Sequence, residues 1–340
     1  MNLSTPYSTE HVTDSDAVPP ITDQLMCIIK FAIGGLGLTG NLFVIVVIVS
    51  APTMRKQLTN AYIINQSVID GLISLLLILT TVFDDDGRRY HTLADRLFCR
   101  IWLTKPWLWG LFVSSSYNLL ALTLERYLAV VHPIWHKTRM TSNKVVAAIA
   151  FVWMFGPAYN LAYMVPTAGI TVSGRCVLYA IWPNSLSQRA VGVLTIFIQF
   201  IGPLLLLVFF YARMVIVLRK RVAPEGTGHL PGWPVRGKKS DSMARARRNI
   251  LKTLAIVALT FVFCWTWNQV YFLMFNLGAK VMEFTSVFYN FTVVMVFTNC
   301  CLNPFIYIAK YEQFQKTMKA LFSKKPASFE NAQSYNSSIG

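Results

Sequence analysis

Glu125 and Arg126 stand side by side near the end of an apolar run that starts around Trp107. Ionisable groups are expensive in hydrocarbon, so a pair in that place either serves a purpose or escapes to water. If it escapes, Arg126 is a helix-end residue whose stem lies in lipid and whose head reaches the interface. If it is retained, the carboxylate holds the guanidinium and the pair is a catch that can be released. Asp70 raises the same question inside another apolar run, Asn60 to Asp70. A carboxylate there must be protonated, paired or bound to a cation, and Ser67 shares its helix face at i, i+3. Asp70 is nearly alone as an intramembrane acid, too little for a proton relay. The five histidines, at 11, 91, 132, 136 and 229, fall outside the apolar cores, and the runs hold no metal-ligand cluster. The expected chemistry is the holding and release of charge, and the chain reads as no enzyme.

Such residues need membrane helices to position them. Of 340 residues, 54% are hydrophobic and 14% charged, and the mean hydropathy is +0.48. A water-soluble protein does not hide that much apolar side chain. Apolar segments of spanning length run over 25–50, 59–83, 98–131, 144–166, 188–219, 248–277 and 282–308. The net charge of +16 is concentrated rather than spread. Residues 1–24 carry no Lys or Arg but hold Glu10, Asp14, Asp16 and Asp23. Arg55 and Lys56 follow span one, Lys137, Arg139 and Lys144 follow span three, and a cluster from Arg219 to Arg248 follows span five. Basic loops stay in the cytoplasm, which puts the N-terminus outside. Topology therefore accounts for the charge, and nucleic acid is excluded as a partner.

The expected fold class is an all-α membrane protein, a seven-transmembrane helix bundle with a short amphipathic helix after the seventh span. The parts are an extracellular tail over 1–24, the bundle over 25–309 with a flexible cytoplasmic loop over 222–240, a helix over 310–322, and a disordered cytoplasmic tail over 323–340. The helix over 310–322 lies on the membrane lipid surface, with Phe314, Met318, Leu321 and Phe322 forming its apolar face and Lys316 and Lys319 its basic one. With no secretory signal in view, span one serves as its own insertion signal. Asn2-Leu3-Ser4 is a glycosylation acceptor on an outside terminus. Ser323, Ser328, Ser334, Ser337 and Ser338 are candidate phosphorylation sites. Cys99 opens span three and Cys176 precedes span five; both face the oxidising exterior, where a disulfide between them is stable. Cys264, Cys300 and Cys301 are small buried hydrophobes, and Cys27 is free. Gly34, Gly35, Gly37 and Gly40 let span one pack closely, and Asn41 needs a partner on another helix. Pro203 and Pro304 each bend a span and free a carbonyl.

With these residues in place the chain resembles a rhodopsin-like (class A) G-protein-coupled receptor over about residues 25–322. The resemblance is carried by Gly40-Asn41, Asp70, Glu125-Arg126-Tyr127, Trp153, Pro203 with Tyr211, Phe261-Cys264-Trp265, and Asn303-Pro304 with Tyr307, in order on seven spans. It implies a plasma-membrane protein in which Glu125 holds Arg126 at rest. On activation Tyr211 and Tyr307 turn toward Arg126, and the inner end of span six swings outward to admit a heterotrimeric G protein. Arrestin and a receptor kinase are further implied partners. Asp70, Ser115, Asn299 and Asn303 match positions where the family binds a sodium ion, the one cofactor implied. Trp265 matches the aromatic at the pocket floor. Three departures stand out. Trp267 occupies the place of the usual proline in span six, so a kink there needs a water or a local widening. Twenty-seven residues separate Cys99 from Arg126, about two more than usual, and Pro106 is placed to absorb them in a bulge. Arg247 stands where some members have an acid that locks the arginine, which implies an easier transition to the active form.

For the ligand, missing chemistry speaks first. Trp102 to Phe112 contains no Asp to pair an amine, and no Lys lies between Glu283 and Asn303 for a retinal Schiff base. The acidic run Asp84-Asp85-Asp86, with Asp95, Glu283 and the aromatics Trp102, Trp107, Trp109, Tyr179 and Trp182, suits an extracellular peptide carrying a basic or amidated group. The expected class is a neuropeptide receptor. A receptor for a lipid or other small molecule is the alternative, followed by a seven-helix transporter, against which the lack of an internal repeat counts.

Overall fold

The structure, a computed structural model, describes residues 20–83, 89–171, 174–179, 181–222, 238–279 and 286–323; side chains over 20–23, 220–222 and 238–248 are not described. Asn2, Asp84, Asp85, Asp86, Glu283, most of the loop over 222–240, the tail beyond Ser323 and the Arg247 side chain lie outside the described residues.

In chain order the elements are α1 (Pro20–Val49), α2 (Pro52–Arg55), α3 (Leu58–Val82), α4 (Leu93–Phe98), α5 (Pro106–Val131), α6 (Pro133–Arg139), α7 (Ser142–Thr167), β1 (Gly169–Ile170), β2 (Cys176–Val177), α8 (Ser185–Ile196), α9 (Gly202–Val222), α10 (Lys238–Asn276), α11 (Val287–Lys310) and α12 (Glu312–Phe322). Six stretches, α1, α3, α7, α8 with α9, α10 and α11, are long and apolar enough to cross a membrane. The seventh rod is α5. It has 26 residues, carries Ser114, Ser115, Ser116 and Asn118, and packs between α3, α7 and α9, so its polar side chains face protein. The flanks facing away from the bundle are apolar, as at Leu42, Met154, Leu205 and Leu259. This is the seven-transmembrane bundle expected, with α12 following the last span.

Several boundaries differ from the expected ones. α1 is already helical at Pro20, the first described residue, five residues before the expected start of span one. Span three is not one helix. α4 runs into a π-helical turn, Cys99–Leu103, and the chain then reverses at Lys105 with φ 53° before Pro106 opens α5. The surplus residues between Cys99 and Arg126 are taken up here. Span five holds a second π turn, Phe197–Ile201, immediately before Pro203. Span six starts at Lys238, so the last residues assigned to the cytoplasmic loop are helical. α10 is one uninterrupted helix, and the widening considered at Trp267 is absent. Trp267 is 39% exposed and meets Phe263 and Phe291 edge-on, filling the seam with α11 instead of breaking the helix.

Pro203 and Pro304 each leave a carbonyl without its usual donor, and a neighbouring helix supplies one. Pro304 deprives Cys300 of its i+4 N–H. Asn41 Nδ2 donates to that carbonyl at 3.0 Å, which is the partner Asn41 required. A Cβ on Gly40 would lie 3.1 Å from the Pro304 ring, so the glycine lets α1 reach this carbonyl. In the π turn the Gly202 N–H bonds Phe197 oxygen, and the next donor in the series would be Pro203. Ile198 oxygen is freed and accepts from the Tyr117 hydroxyl at 3.0 Å. Between α5 and α7, Gly110 meets Gly156 and Pro157 so closely that a Cβ on either glycine would overlap the opposite backbone.

Candidate functional site

The inner end of the bundle holds the first candidate group. Glu125 is fully buried, and the Arg126 side chain is 18% exposed. Arg126 does not reach outward to the interface. It folds back on its neighbour, Nε donating to Glu125 Oε2 at 2.5 Å and Nη2 to Oε1. Thr59 Oγ1 of α3 also donates to Oε2, at 3.2 Å, and His136 Nε2 of α6 lies 2.8 Å from Oε1. The carboxylate thus ties α3, α5 and α6 together while holding the guanidinium. Thr59 and His136 were not singled out in the sequence. Tyr127 takes no part: its ring packs on Phe210 of α9 at 5.0 Å and on His132 at 5.9 Å. The buried hydroxyls of Tyr211 and Tyr307 have no hydrogen-bond partner among the described residues.

The inner end of α10 is fastened by neutral groups. Thr253 Oγ1 donates to Lys310 oxygen at 3.0 Å, and the Glu312 N–H donates to Asn249 Oδ1 at 3.0 Å. Both contacts land on the turn between α11 and α12. In that turn the Tyr311 hydroxyl donates to Asn60 Oδ1 at 3.0 Å. Burial pushes the Tyr311 phenol up to about 12, with the nearby Arg126 guanidinium acting in the opposite direction. The helix α12 sits against α1, with Phe314 fully buried and edge-on to Phe43.

At mid-depth Asp70 is fully buried and saturated by donors. Oδ1 accepts from Gln66 Nε2 at 3.1 Å and from Ser115 Oγ at 2.9 Å. Oδ2 accepts from Gln66 Nε2 at 3.0 Å and from Asn303 Nδ2 at 2.7 Å. Ser115 and Asn303 are where the sequence placed them; Asn299 does not bond the carboxylate, and its Oδ1 has no partner among the described residues. Gln66 was missed, since one glutamine in an apolar run carries no distinguishing signal. A sodium ion requires oxygen lone pairs around it. Here the carboxylate oxygens face N–H and O–H donors, and the Gln66 nitrogen takes the bridging position between them, so the residues do not fit the ion implied by the resemblance.

Above this level Trp265 is buried, with Phe112 edge-on at 5.8 Å and Phe261 at 5.4 Å, and Phe112 in turn meets Phe297 at 4.9 Å. Beyond it a cavity opens toward the outer face. Its lining includes the amides of Asn160, Gln199, Asn268 and Gln269 and the phenols of Tyr271 and Tyr289. Tyr179 covers it. Three residues after Cys176, Tyr179 adopts φ 57° and projects inward, its hydroxyl 2.7 Å from that of Tyr163 and its ring edge-on to Phe272 at 5.4 Å. Trp182 Nε1 donates to Tyr179 oxygen at 2.9 Å, fixing the turn. Cys99 and Cys176 are disulfide-bonded, with Cα atoms 5.6 Å apart, and so hold this loop against the π-helical turn that precedes α5. Of the outer aromatics, Trp109 and Tyr179 line the cavity, while Trp102 and Trp107 pack on each other at 5.5 Å. Asp95 caps α4, its Oδ2 accepting from the Thr92 N–H at 2.8 Å and the His91 N–H at 2.9 Å.

The sequence matches the model of the 7 transmembrane receptor (rhodopsin family) over residues 40–307. It is 25% identical over 312 residues to galanin receptor type 1 of Rattus norvegicus, covering 84% of this chain and 79% of that one. It is 25% identical over 341 residues to neuropeptides B/W receptor type 2 of Homo sapiens, covering 94% and 92%. It is 26% identical over 322 residues to trace amine-associated receptor 9 of Rattus norvegicus, covering 87% and 88%.

Proposed function

Because the chain belongs to the rhodopsin family of 7 transmembrane receptors, and so is a multi-pass membrane receptor and not an enzyme, we propose that it binds an extracellular peptide and activates a heterotrimeric G protein. It works in the plasma membrane with its N-terminus outside. The signal crosses the membrane as an outward movement of the inner end of α10. The observation that carries this reading is the buried carboxylate of Glu125 holding Arg126 at the inner mouth of the bundle. Opening there exposes a cationic group to a docking partner. Arrestin and a receptor kinase would use the same inner face.

A peptide with an amidated end suits the outer cavity. Its amide and phenol lining offers donors and acceptors without a carboxylate among the described residues, which also disfavours an amine as the anchoring group. The likenesses to galanin and neuropeptides B/W receptors point the same way. The expectation of a basic ligand rests on Asp84, Asp85, Asp86 and Glu283. The test is a panel of peptides, each as amide and as free acid, on cells expressing the chain, with second messengers read out. A response to amides that is lost in the acids supports the reading; a response confined to amines or lipids overturns the peptide assignment.

The neutral fastening of α10 yields a further expectation. Thr253→Val keeps the shape and removes the hydroxyl that bonds Lys310 oxygen. Such a bond is worth about 1 kcal/mol net. If it is broken when α10 swings out, the ligand-free active fraction rises about fivefold, since about 1.4 kcal/mol is tenfold. Asn249→Ala, at an exposed bond, should do less. Ligand-free second-messenger output at matched surface expression checks both, and output equal to the unsubstituted receptor's would count against the fastening.

A further inference from the structure

We propose that Gln66 takes the part of a cation in the middle of this receptor, so that its inactive form is stabilised by a side-chain amide and is indifferent to sodium. An ionised carboxylate offers about four lone-pair sites. Asp70 fills them with four contacts from three side chains, Gln66, Ser115 and Asn303, and two of the four come from one nitrogen of Gln66 set between the carboxylate oxygens. That bridging position is the one from which a bound cation would neutralise the group. Of the two hydrogens on that nitrogen, one is shared between the carboxylate oxygens and the other goes to Ser115 Oγ, engaging one of the two serine lone pairs.

The amide is held in this orientation from behind. Gln66 Oε1 accepts from Asn118 Nδ2 at 2.8 Å, and Asn118 Nδ2 also donates to Tyr62 oxygen at 3.0 Å. Asn118 Oδ1 accepts from Asn65 Nδ2 at 2.8 Å, and Asn65 Oδ1 accepts from Trp153 Nε1 at 2.9 Å. With its oxygen facing a donor, Gln66 can present only N–H groups to Asp70. A single relay thus runs from Trp153 on α7 through α3 and α5 to Asn303 on α11. It joins four helices without an ion. The buried oxygens of Asn299, Asn303 and Ser67 that lack partners among the described residues are acceptors a water can satisfy, and they leave the carboxylate saturated.

The test uses the full chain purified in detergent, with thermal unfolding followed in sodium, potassium and choline chloride at equal ionic strength. The three midpoints should coincide for the unsubstituted protein. Gln66→Leu removes the amide and leaves room beside Asp70. Its midpoint should fall by a few degrees in choline chloride, and sodium, not potassium, should restore part of the loss. Gln66→Asn, which withdraws the amide by one methylene, carries the same expectation if the leucine variant does not fold. A sodium-specific rise in the unsubstituted protein overturns the proposal, as does a Gln66 variant that gains no more from sodium than the parent. Because the readout is stability without ligand, failure of the peptide reading leaves this test intact.

Discussion

Glu125→Gln should raise ligand-free signalling on the order of tenfold, and Arg126→Ala should abolish signalling while leaving ligand binding in place. The glutamine keeps the shape of the carboxylate and one of the two oxygens that meet Thr59 and His136, while removing the charge that holds Arg126. Hydrogen bonds to charged groups contribute about 1.5–3 kcal/mol. Arg126 is partly screened by its 18% exposure, so the lower figure applies, and about 1.4 kcal/mol is a tenfold change in the resting equilibrium. Arg126→Ala differs in kind, because it removes the group that release would make available. It also leaves a buried carboxylate with only Thr59 and His136, which lowers stability, so expression must be matched before outputs are compared. The pair is measured as second-messenger output with and without agonist, alongside agonist binding. A Glu125→Gln receptor as quiet as its parent, together with a fully active Arg126→Ala, would remove the catch from the mechanism.

The catch was legible because charge in hydrocarbon is rare enough to be read from sequence alone. The same holds for Asp70 and for the two cysteines that face the exterior. What surrounds them was not legible, for reasons that differ by residue. Asn41 announced a need for a partner, but only the seven-span packing identifies it as the carbonyl that Pro304 frees. The irregular start of span three could be anticipated from the long spacing between Cys99 and Arg126. Its form could not, since the reversal falls on Lys105, a non-glycine residue with positive φ. Tyr179 stood among the outer aromatics, but its position over the cavity depends on a positive φ that its residue type does not announce. Gln66 looked like an ordinary polar interruption, and its meaning depends on the register of α3 against α5. Trp267 was read as the site of a lost kink. The α-helix runs through it unbroken, and the π-helical irregularity sits in the fifth span, where Pro203 and the π turn free Ile198 oxygen for Tyr117.

The inner fastening is a case where sequence pointed to a lack and the structure supplies a substitute. Arg247 in place of an acid implied that α10 is loosely held. Thr253 and Asn249 hold it by hydrogen bonds to the α11–α12 turn, and such bonds are weaker individually than a buried ion pair's. The implied ease of activation then becomes a matter of about 1 kcal/mol per bond. Arg247→Glu would add an acid able to compete for Arg126, and it should lower whatever ligand-free output the parent shows.

Cys176→Ser is the second substitution with a large expected effect, on the outer side. The bridge to Cys99 closes a loop with a sequence separation of 77, and the chain-entropy account of such a closure gives about 2–4 kcal/mol of stability in typical proteins. Its functional consequence follows from position. Tyr179 lies three residues beyond Cys176 and reaches the cavity only because its turn is held in place. Trp182 and Tyr163 give that turn further support, so it loosens without being lost. Agonist potency should therefore fall together with the thermal midpoint. Because one bond is shared, Cys99→Ser, Cys176→Ser and the double variant should lose the same amount, whereas independent sites would add. Reductant should bring the unsubstituted receptor to the level of the variants and leave theirs unchanged. Additive losses would mean that the two cysteines act independently and not through one bond, and a potency that survives all three substitutions would mean that the bridge stabilises the outer face without positioning Tyr179 over the ligand cavity.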